Sequence, residues 1–132
     1  MPNNLNVTLD KSVDPWAVDV DQHGKDNEVA KGPNAQTITW HLSGNAASGS
    51  FVSLTDPNPG FEWIEQPPDG IFNALGLSQN SKRLSITDLN NSSDTAGEWH
   101  YRLRVNVGGT VYSTREESIK REITNPWIRN KP

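Results

Sequence analysis

Apolar and polar residues alternate along the chain in short runs, which is the pattern of half-buried β-strands. The clearest run covers residues 98–114, where apolar residues occupy every second position from 99 to 107. Gly108 and Gly109 then interrupt the alternation. Two glycines between alternating runs indicate a two-residue turn, because the central residues of that turn need positive φ. The sequence therefore predicts a β-hairpin with Val107 opposite Thr110.

Other short runs of the same kind are separated by turn-forming Gly, Pro, Asn and Ser residues. They cover residues 5–9, 16–21, 36–42, 50–54, 61–64 and 84–86. Many short strands without a long helical pattern predict an all-β, antiparallel two-sheet sandwich. Residues 71–79 have no clear period, and the pattern there is compatible with one irregular helical turn.

The apolar face of each predicted strand gives the expected core. It comprises Val7, Leu9, Trp16, Val18, Ile38, Trp40, Leu42, Phe51, Trp63, Leu84, Ile86, Trp99, Tyr101, Leu103 and Val105. Removing a large side chain from such a core leaves a cavity, so W40A is expected to cost about 3–5 kcal/mol.

The middle of the chain resembles the immunoglobulin fold. Trp40 lies on a run like strand C, and residues 84–101 resemble strand E, the following corner and strand F. The paired cysteines of that fold are missing, and its corner tyrosine corresponds to Trp99 or Tyr101. The resemblance implies an immunoglobulin-like sandwich and carries no function with it.

The segment after the hairpin is open to two interpretations. Thr114 and Glu117 match a capping box, and Ile119 and Ile123 are four residues apart, which favours a short helix. A strand through residues 118–124 is the alternative. Residues 115–124 are therefore assigned to helix or strand, without a decision between the two.

The last eight residues, 125–132, form a tail with two apolar anchors, Trp127 and Ile128. Flanking prolines keep such a segment extended and outside any helix. Because these side chains are unfavourable in water, the tail is expected to dock on its own sandwich or across the edge of a second copy. The sequence thus predicts one sandwich domain over residues 1–124 followed by a docked tail, and a homo-oligomer is one of the two outcomes.

Composition limits the classes of function. The chain has 132 residues, which suits one domain, and it has no cysteine. A disulfide scaffold, a thiol nucleophile and a cysteine zinc site are therefore excluded. With 33% hydrophobic residues no membrane-spanning segment is expected. A net charge of −4 disfavours binding to nucleic acid, which needs clustered bases.

The N-terminal residues lack the basic and apolar regions of a signal peptide. No lipidation motif is present in the sequence either. The cytoplasm is therefore the expected location, with export by a route that uses no cleaved signal as the alternative.

Asp19 and Asp21 imitate the first two ligands of a calcium loop, and Gly24 follows at its sixth position. Ala30 occupies the place of the bidentate Glu that completes such a loop. Because the loop is incomplete, no metal or other cofactor is expected. Asp19 and Asp21 are the candidate ligands if a metal does bind. No zinc-type histidine spacing, nucleophile elbow or phosphate loop is found, so no catalytic residue is assigned.

The predicted hairpin places Arg102 opposite Arg115, and Arg104 opposite Ser113. Like charges opposite each other in a sheet repel, so a carboxylate should compensate them. The carboxylate is expected from a neighbouring strand or from Glu116 and Glu117. The alternative source is an acidic partner surface or a carboxylate ligand. The candidate binding residues are Arg102, Arg104, Arg115, Trp127 and Ile128.

Three segments resemble the bacterial DP-EP family. They are residues 36–42, residues 60–63 and the ending at 125–132. That family ends in the pattern Asp-Pro-x-Ile-x-Asn-Glu-Pro, whereas this chain has Asn125 and Lys131 at the two acidic positions. The order and spacing match over most of the chain. The resemblance implies a β-sandwich and no functional residue.

These observations favour a non-catalytic module for protein interaction or structure, acting on a protein partner or by self-association. A carbohydrate-binding module is an alternative that needs two coplanar exposed aromatic rings. A small hydrolase with an unrecognised site is another, and it needs a cleft in which a histidine or carboxylate has a strongly perturbed pKa.

Overall fold

Two β-sheets packed face to face make up the computed structural model, which describes residues 3–22, 27–114 and 126–132. The strands of this part of the chain are β1 (Asn4–Asp10), β2 (Ala17–Val20), β3 (Glu28–Val29), β4 (Gln36–Leu42), β5 (Ser50–Phe51), β6 (Phe61–Trp63), β7 (Phe72–Leu77), β8 (Arg83–Asp88), β9 (Gly97–Val107), β10 (Thr110–Ser113) and β11 (Trp127–Asn130). Short 3-10 helices cover Gly44–Ala46 and Ser93–Thr95. The predicted all-β sandwich is confirmed.

The first sheet has the strand order β2-β1-β4-β8-β7. Its strands pair antiparallel except for β1 and β4, which run parallel with Leu5 opposite Trp40. The second sheet has the order β10-β9-β11-β3, and β5 and β6 also pair with β9. Here β11 and β3 run parallel. Each sheet is therefore mixed, with one parallel pair among antiparallel pairs, which is a detail that the predicted antiparallel sandwich does not include.

Strand β9 is the long central strand of the second sheet, and β10 and β11 pair with successive parts of it. The Thr114 N–H donates to the Leu103 carbonyl (3.0 Å), and the Tyr101 N–H donates to the Pro126 carbonyl (3.1 Å). Alternate residues of a strand direct their backbone polar groups to the same side. The chain therefore leaves the edge of β9 after Thr114 and returns to the same edge at Pro126.

The core lies between the sheets and contains most of the predicted side chains. Its buried members are Leu5, Val7, Leu9, Val18, Val29, Ile38, Trp40, Leu42, Ala46, Phe51, Phe61, Leu84, Ile86, Tyr101, Leu103, Val105 and Ile128. An aromatic cluster occupies its centre, where the Phe61 ring stacks on Tyr101 at 5.3 Å and contacts Trp40 at 5.5 Å. The alternating pattern of the sequence thus identifies the buried face of most strands.

Three predicted core tryptophans lie elsewhere. Trp16 is 39% exposed, and its ring stacks on Tyr112 at 5.6 Å. It lies just before β2, which begins at Ala17, so its side chain does not share the burial of that strand. Trp63 and Trp99 are partly buried, and their rings lie against Phe72 at the margin of the core.

Residues 71–79 do not contain the helical turn that their irregular pattern suggested. They include β7, which pairs with β8 and has a bulge between Asn73 and Gly76. Within the bulge Ala74 has a φ of 58°. A bulge shifts the alternation by a residue, which explains why the sequence shows no period of two. The prediction for residues 115–124 lies outside the described residues.

Candidate functional site

The outer face of β9 carries two of the arginines singled out by the sequence. Tyr101, Leu103 and Val105 are buried in the core. Because successive side chains of a strand point to opposite faces, Arg102 and Arg104 lie on the face away from the core. The long alternating run thus positions both guanidinium groups on the outside of the second sheet.

Arg104 is held by two contacts with the chain around β6. Its Nη1 donates to the Pro59 carbonyl, and its Nη2 donates to Glu62 Oε1, both at 3.0 Å. Its side chain is only 12% exposed. The predicted position of Arg104 opposite Ser113 is confirmed. This arginine therefore joins the hairpin to the neighbouring strand.

Arg102 lies directly opposite Glu62, with its Nη1 3.9 Å from Glu62 Oε1. The carboxylate expected from a neighbouring strand is thus Glu62, which contacts both arginines. It contacts Arg104 more closely than Arg102. Arg115, the third candidate arginine, lies outside the described residues.

A depression of about 250 Å³ lies beside Arg102. Asp14, Trp16 and Ser113 are among the residues that line it. Lys11 Nζ lies 4.5 Å from the centre of the Trp16 ring, within the range of a cation–π contact. The structure thus places a guanidinium group and a partly exposed indole at the same depression. The sequence does not predict this arrangement, because its alternation assigns Trp16 to the core.

The two candidate residues of the tail lie in β11. Ile128 is completely buried in the core, so its side chain is not on a binding surface. Trp127 is partly buried, and its ring lies 5.9 Å from that of His100. Its backbone N–H donates to Gln22 Oε1 (3.0 Å), and its carbonyl accepts from Asn27 Nδ2 (3.1 Å). Residues 127–130 are therefore a strand of the same chain's second sheet.

The metal candidates lie at the end of β2. Asp19 is paired with Thr8, and the Asp21 N–H donates to the Asn6 carbonyl at 2.9 Å. In residues 3–22, 27–114 and 126–132, no three His, Asp or Glu side chains form a group that could hold a metal ion. Residues 23–26 of the proposed calcium loop, with Gly24 among them, lie outside those ranges.

Two groups with perturbed pKa values lie on opposite faces of the first sheet. Partial burial and the neighbouring Arg83 lower the pKa of His41, which is on the outer face of β4. Burial raises the pKa of Asp88 to about 6, against the opposing effect of a hydrogen bond from Asn130. Asp88 points into the sandwich. Because the sheet separates them, His41 and Asp88 do not form an acid–base pair.

A scan of protein-family models finds none that matches the chain, and no curated protein matches its sequence. None of the helices in the described residues is long and apolar enough to cross a membrane. Function must therefore be inferred from the geometry of the described residues.

Proposed function

We propose that this chain is a non-catalytic binding module that recognises an extended acidic segment of a partner protein. The observation that carries the proposal is the position of Arg102, in a depression beside the partly exposed ring of Trp16. Arginine and tryptophan are both enriched at the energetic centres of protein interfaces.

Each group of the depression matches one part of an acidic peptide. The planar guanidinium of Arg102 suits a carboxylate, to which it can donate two parallel hydrogen bonds. The Ser113 hydroxyl can donate another. Trp16 offers apolar surface for a neighbouring side chain of the ligand. Asp14 can accept from a backbone N–H, which favours a peptide over an isolated anion.

Two residues along the same face of β9, Arg104 donates hydrogen bonds to Pro59 and Glu62, which support the strand that carries Arg102. A preformed site loses less conformational freedom on binding than a mobile one. Glu62 is 46% exposed and lies 3.9 Å from Arg102, so it is at the border of the proposed contact.

The aromatic geometry favours a peptide over a sugar. Trp16 and Tyr112 are stacked on each other with an interplanar angle of 22°. Rings in this arrangement cover one face of each other, whereas a flat sugar platform needs the two faces side by side.

We also propose that the chain is related to the bacterial DP-EP family. Two positions shared with the ending of that family, Ile128 and Asn130, are buried between the sheets. Trp40, in another of the matching segments, is a central core residue. This relationship implies a shared sandwich fold. The binding proposal rests on the depression beside Arg102 alone.

The test is an array of acidic peptides, each with a matched version in which Asn and Gln replace Asp and Glu. The folded wild-type protein is expected to bind some acidic peptides and not their amide versions. R102Q should weaken that binding by about tenfold or more, which corresponds to about 1.4 kcal/mol. R83Q is the matched control, because Arg83 is an exposed arginine on the outer face of the other sheet.

Equal binding by wild type and R102Q would overturn the proposal. An array without any preference for the acidic peptides would overturn it too.

A further inference from the structure

Two buried polar side chains join the sheets at one end of the sandwich. Asp88 ends β8 in the first sheet, and Asn130 ends β11 in the second. Asn130 Nδ2 donates to Asp88 Oδ1 at 2.9 Å and to the Thr95 carbonyl at 2.8 Å. Asp88 is completely buried, and Asn130 is 1% exposed. The last strand is thus attached to the first sheet by polar atoms that water does not reach.

The remaining oxygen of each group has no hydrogen-bond donor among the described residues. These two atoms are Asp88 Oδ2 and Asn130 Oδ1. A buried acceptor without a donor costs free energy, and the cost is larger for a charged group. A proton on Asp88 removes both defects, because a protonated Oδ2 can donate to the amide oxygen. The acid and the amide would then share two hydrogen bonds.

The residues that face Asp88 within the first sheet are uncharged. Gln36 on β4 and Phe72 on β7 are the paired positions. On the second sheet, Asn130 is paired with Gly97 of β9 and Val29 of β3. None of these neighbours supplies a positive charge that would favour the carboxylate.

The charged groups nearest in sequence to Asp88 and Asn130 contact other residues or are exposed. Arg129 and Lys131 each lie 3.9 Å from Glu28. Glu98 contacts His100 at 3.4 Å, and Asp94 is exposed. The physical reason for the raised pKa of Asp88 is therefore burial, with the hydrogen bond from Asn130 acting against it.

We propose that a proton on Asp88 latches β11 to the first sheet, so that this strand is held more firmly at mildly acidic pH than at neutral pH. Loss of the proton leaves a buried carboxylate oxygen and a buried amide oxygen without donors among the described residues, and the contact weakens. Because the folded form keeps the proton to a higher pH than the unfolded chain, stability falls as the pH rises from about 4 to about 6. Above about pH 6 the stabilisation that the proton on Asp88 provides is lost completely.

Amide hydrogen exchange in the wild-type protein measures the latch directly. The N–H groups of Arg129 and Lys131 donate to the carbonyls of Asn27 and Val29 at 2.9 Å, so they report on the pairing of β11. After correction for intrinsic exchange, their protection should fall about tenfold between pH 5 and pH 7.5. Carbon-13 NMR of the aspartate carboxyl groups should show Asp88 titrating near pH 6, above the ordinary range of an aspartate side chain.

D88N is the decisive variant. Its amide can accept from Nδ2 of Asn130 and donate to Oδ1 without titrating, so protection of β11 should become independent of pH. D69N, which changes an exposed acid, should behave like wild type. D88A should weaken β11 at every pH.

The proposal is overturned if D88N keeps the wild-type pH dependence, or if it is as weak as D88A at pH 5. If D88N does not fold, the wild-type carboxyl titration decides. Titration of the Asp88 carboxyl at about 4, the ordinary value for an aspartate, rejects the latch.

Discussion

Trp40 Nε1 donates a hydrogen bond to the hydroxyl oxygen of Tyr101, 2.8 Å away, in the middle of the core. Trp40 belongs to β4 of the first sheet, and Tyr101 belongs to β9 of the second. Their rings meet edge to face at 5.2 Å, and both side chains are completely buried. This contact fixes the sheets relative to each other, and burial raises the pKa of Tyr101 far above its usual range.

The first prediction concerns this hydrogen bond. Y101F leaves the indole N–H of Trp40 buried without its acceptor and should lower the free energy of unfolding by about 1–3 kcal/mol. Urea unfolding measures the change. Y112F, at a partly exposed tyrosine, is the control and should change stability by less than about 0.5 kcal/mol. Equal effects of the two variants would contradict a structural role for the Trp40–Tyr101 bond.

The second prediction compares neighbouring residues of β11. I128A removes a completely buried side chain and should cost about 2–5 kcal/mol because it leaves a cavity. W127A removes a larger but only partly buried side chain and should cost less. Thermal or urea unfolding of both variants tests the order. A larger loss in W127A than in I128A would show that the strand is not seated as described.

The third prediction concerns the forked contact of Arg104. R104K cannot reach both the Pro59 carbonyl and Glu62 with a planar fork, so it should cost about 1 kcal/mol. R129K is the matched control, since Arg129 is 53% exposed and 3.9 Å from its carboxylate partner. It should change stability by less than about 0.5 kcal/mol. Indistinguishable urea midpoints for the two variants would reject the fixed position of Arg104.

The fourth prediction is a pH dependence that arises from His41. Its pKa in the folded protein is lowered by burial and by Arg83, so the unfolded chain binds a proton more readily. Stability is therefore lost as the pH falls through about 6.5, the usual value for histidine. Urea unfolding at pH 8 and pH 5 measures the loss of free energy of unfolding in wild type and in H41Q. The loss should be smaller in H41Q, because the contribution of Asp88 is the same in both proteins. An identical loss in wild type and H41Q would contradict it.

The local part of the fold could be predicted from the sequence. In the hairpin the register of Val107 with Thr110 follows from two glycines and an unbroken alternation, and the structure has it. The parallel pairing of β1 with β4 could not be predicted. Alternation shows which face of a strand is buried, and it contains no information on which strands become neighbours.

The candidate site was predictable only in part. Cross-strand spacing placed Arg104 opposite Ser113, but Glu62 as a shared partner depends on β6 pairing with β9. The alternation of the residues that follow predicts Trp16 in the core, whereas its side chain is 39% exposed. The contact between Asp88 and Asn130 joins residues 42 positions apart, and no local pattern signals it.

The pairing of β3 with β11 has a consequence for synthesis on the ribosome. Asn27, just before β3, reaches the carbonyl of Trp127 across 100 residues of chain. Among the described strands β11 is the partner of β3, so a nascent chain displays β3 long before that partner has left the exit tunnel. Closing so long a stretch of chain is slow compared with forming a hairpin. During synthesis the strands from β4 to β10 thus emerge before β3 can pair with β11, whereas the β9–β10 hairpin does not wait for a distant partner.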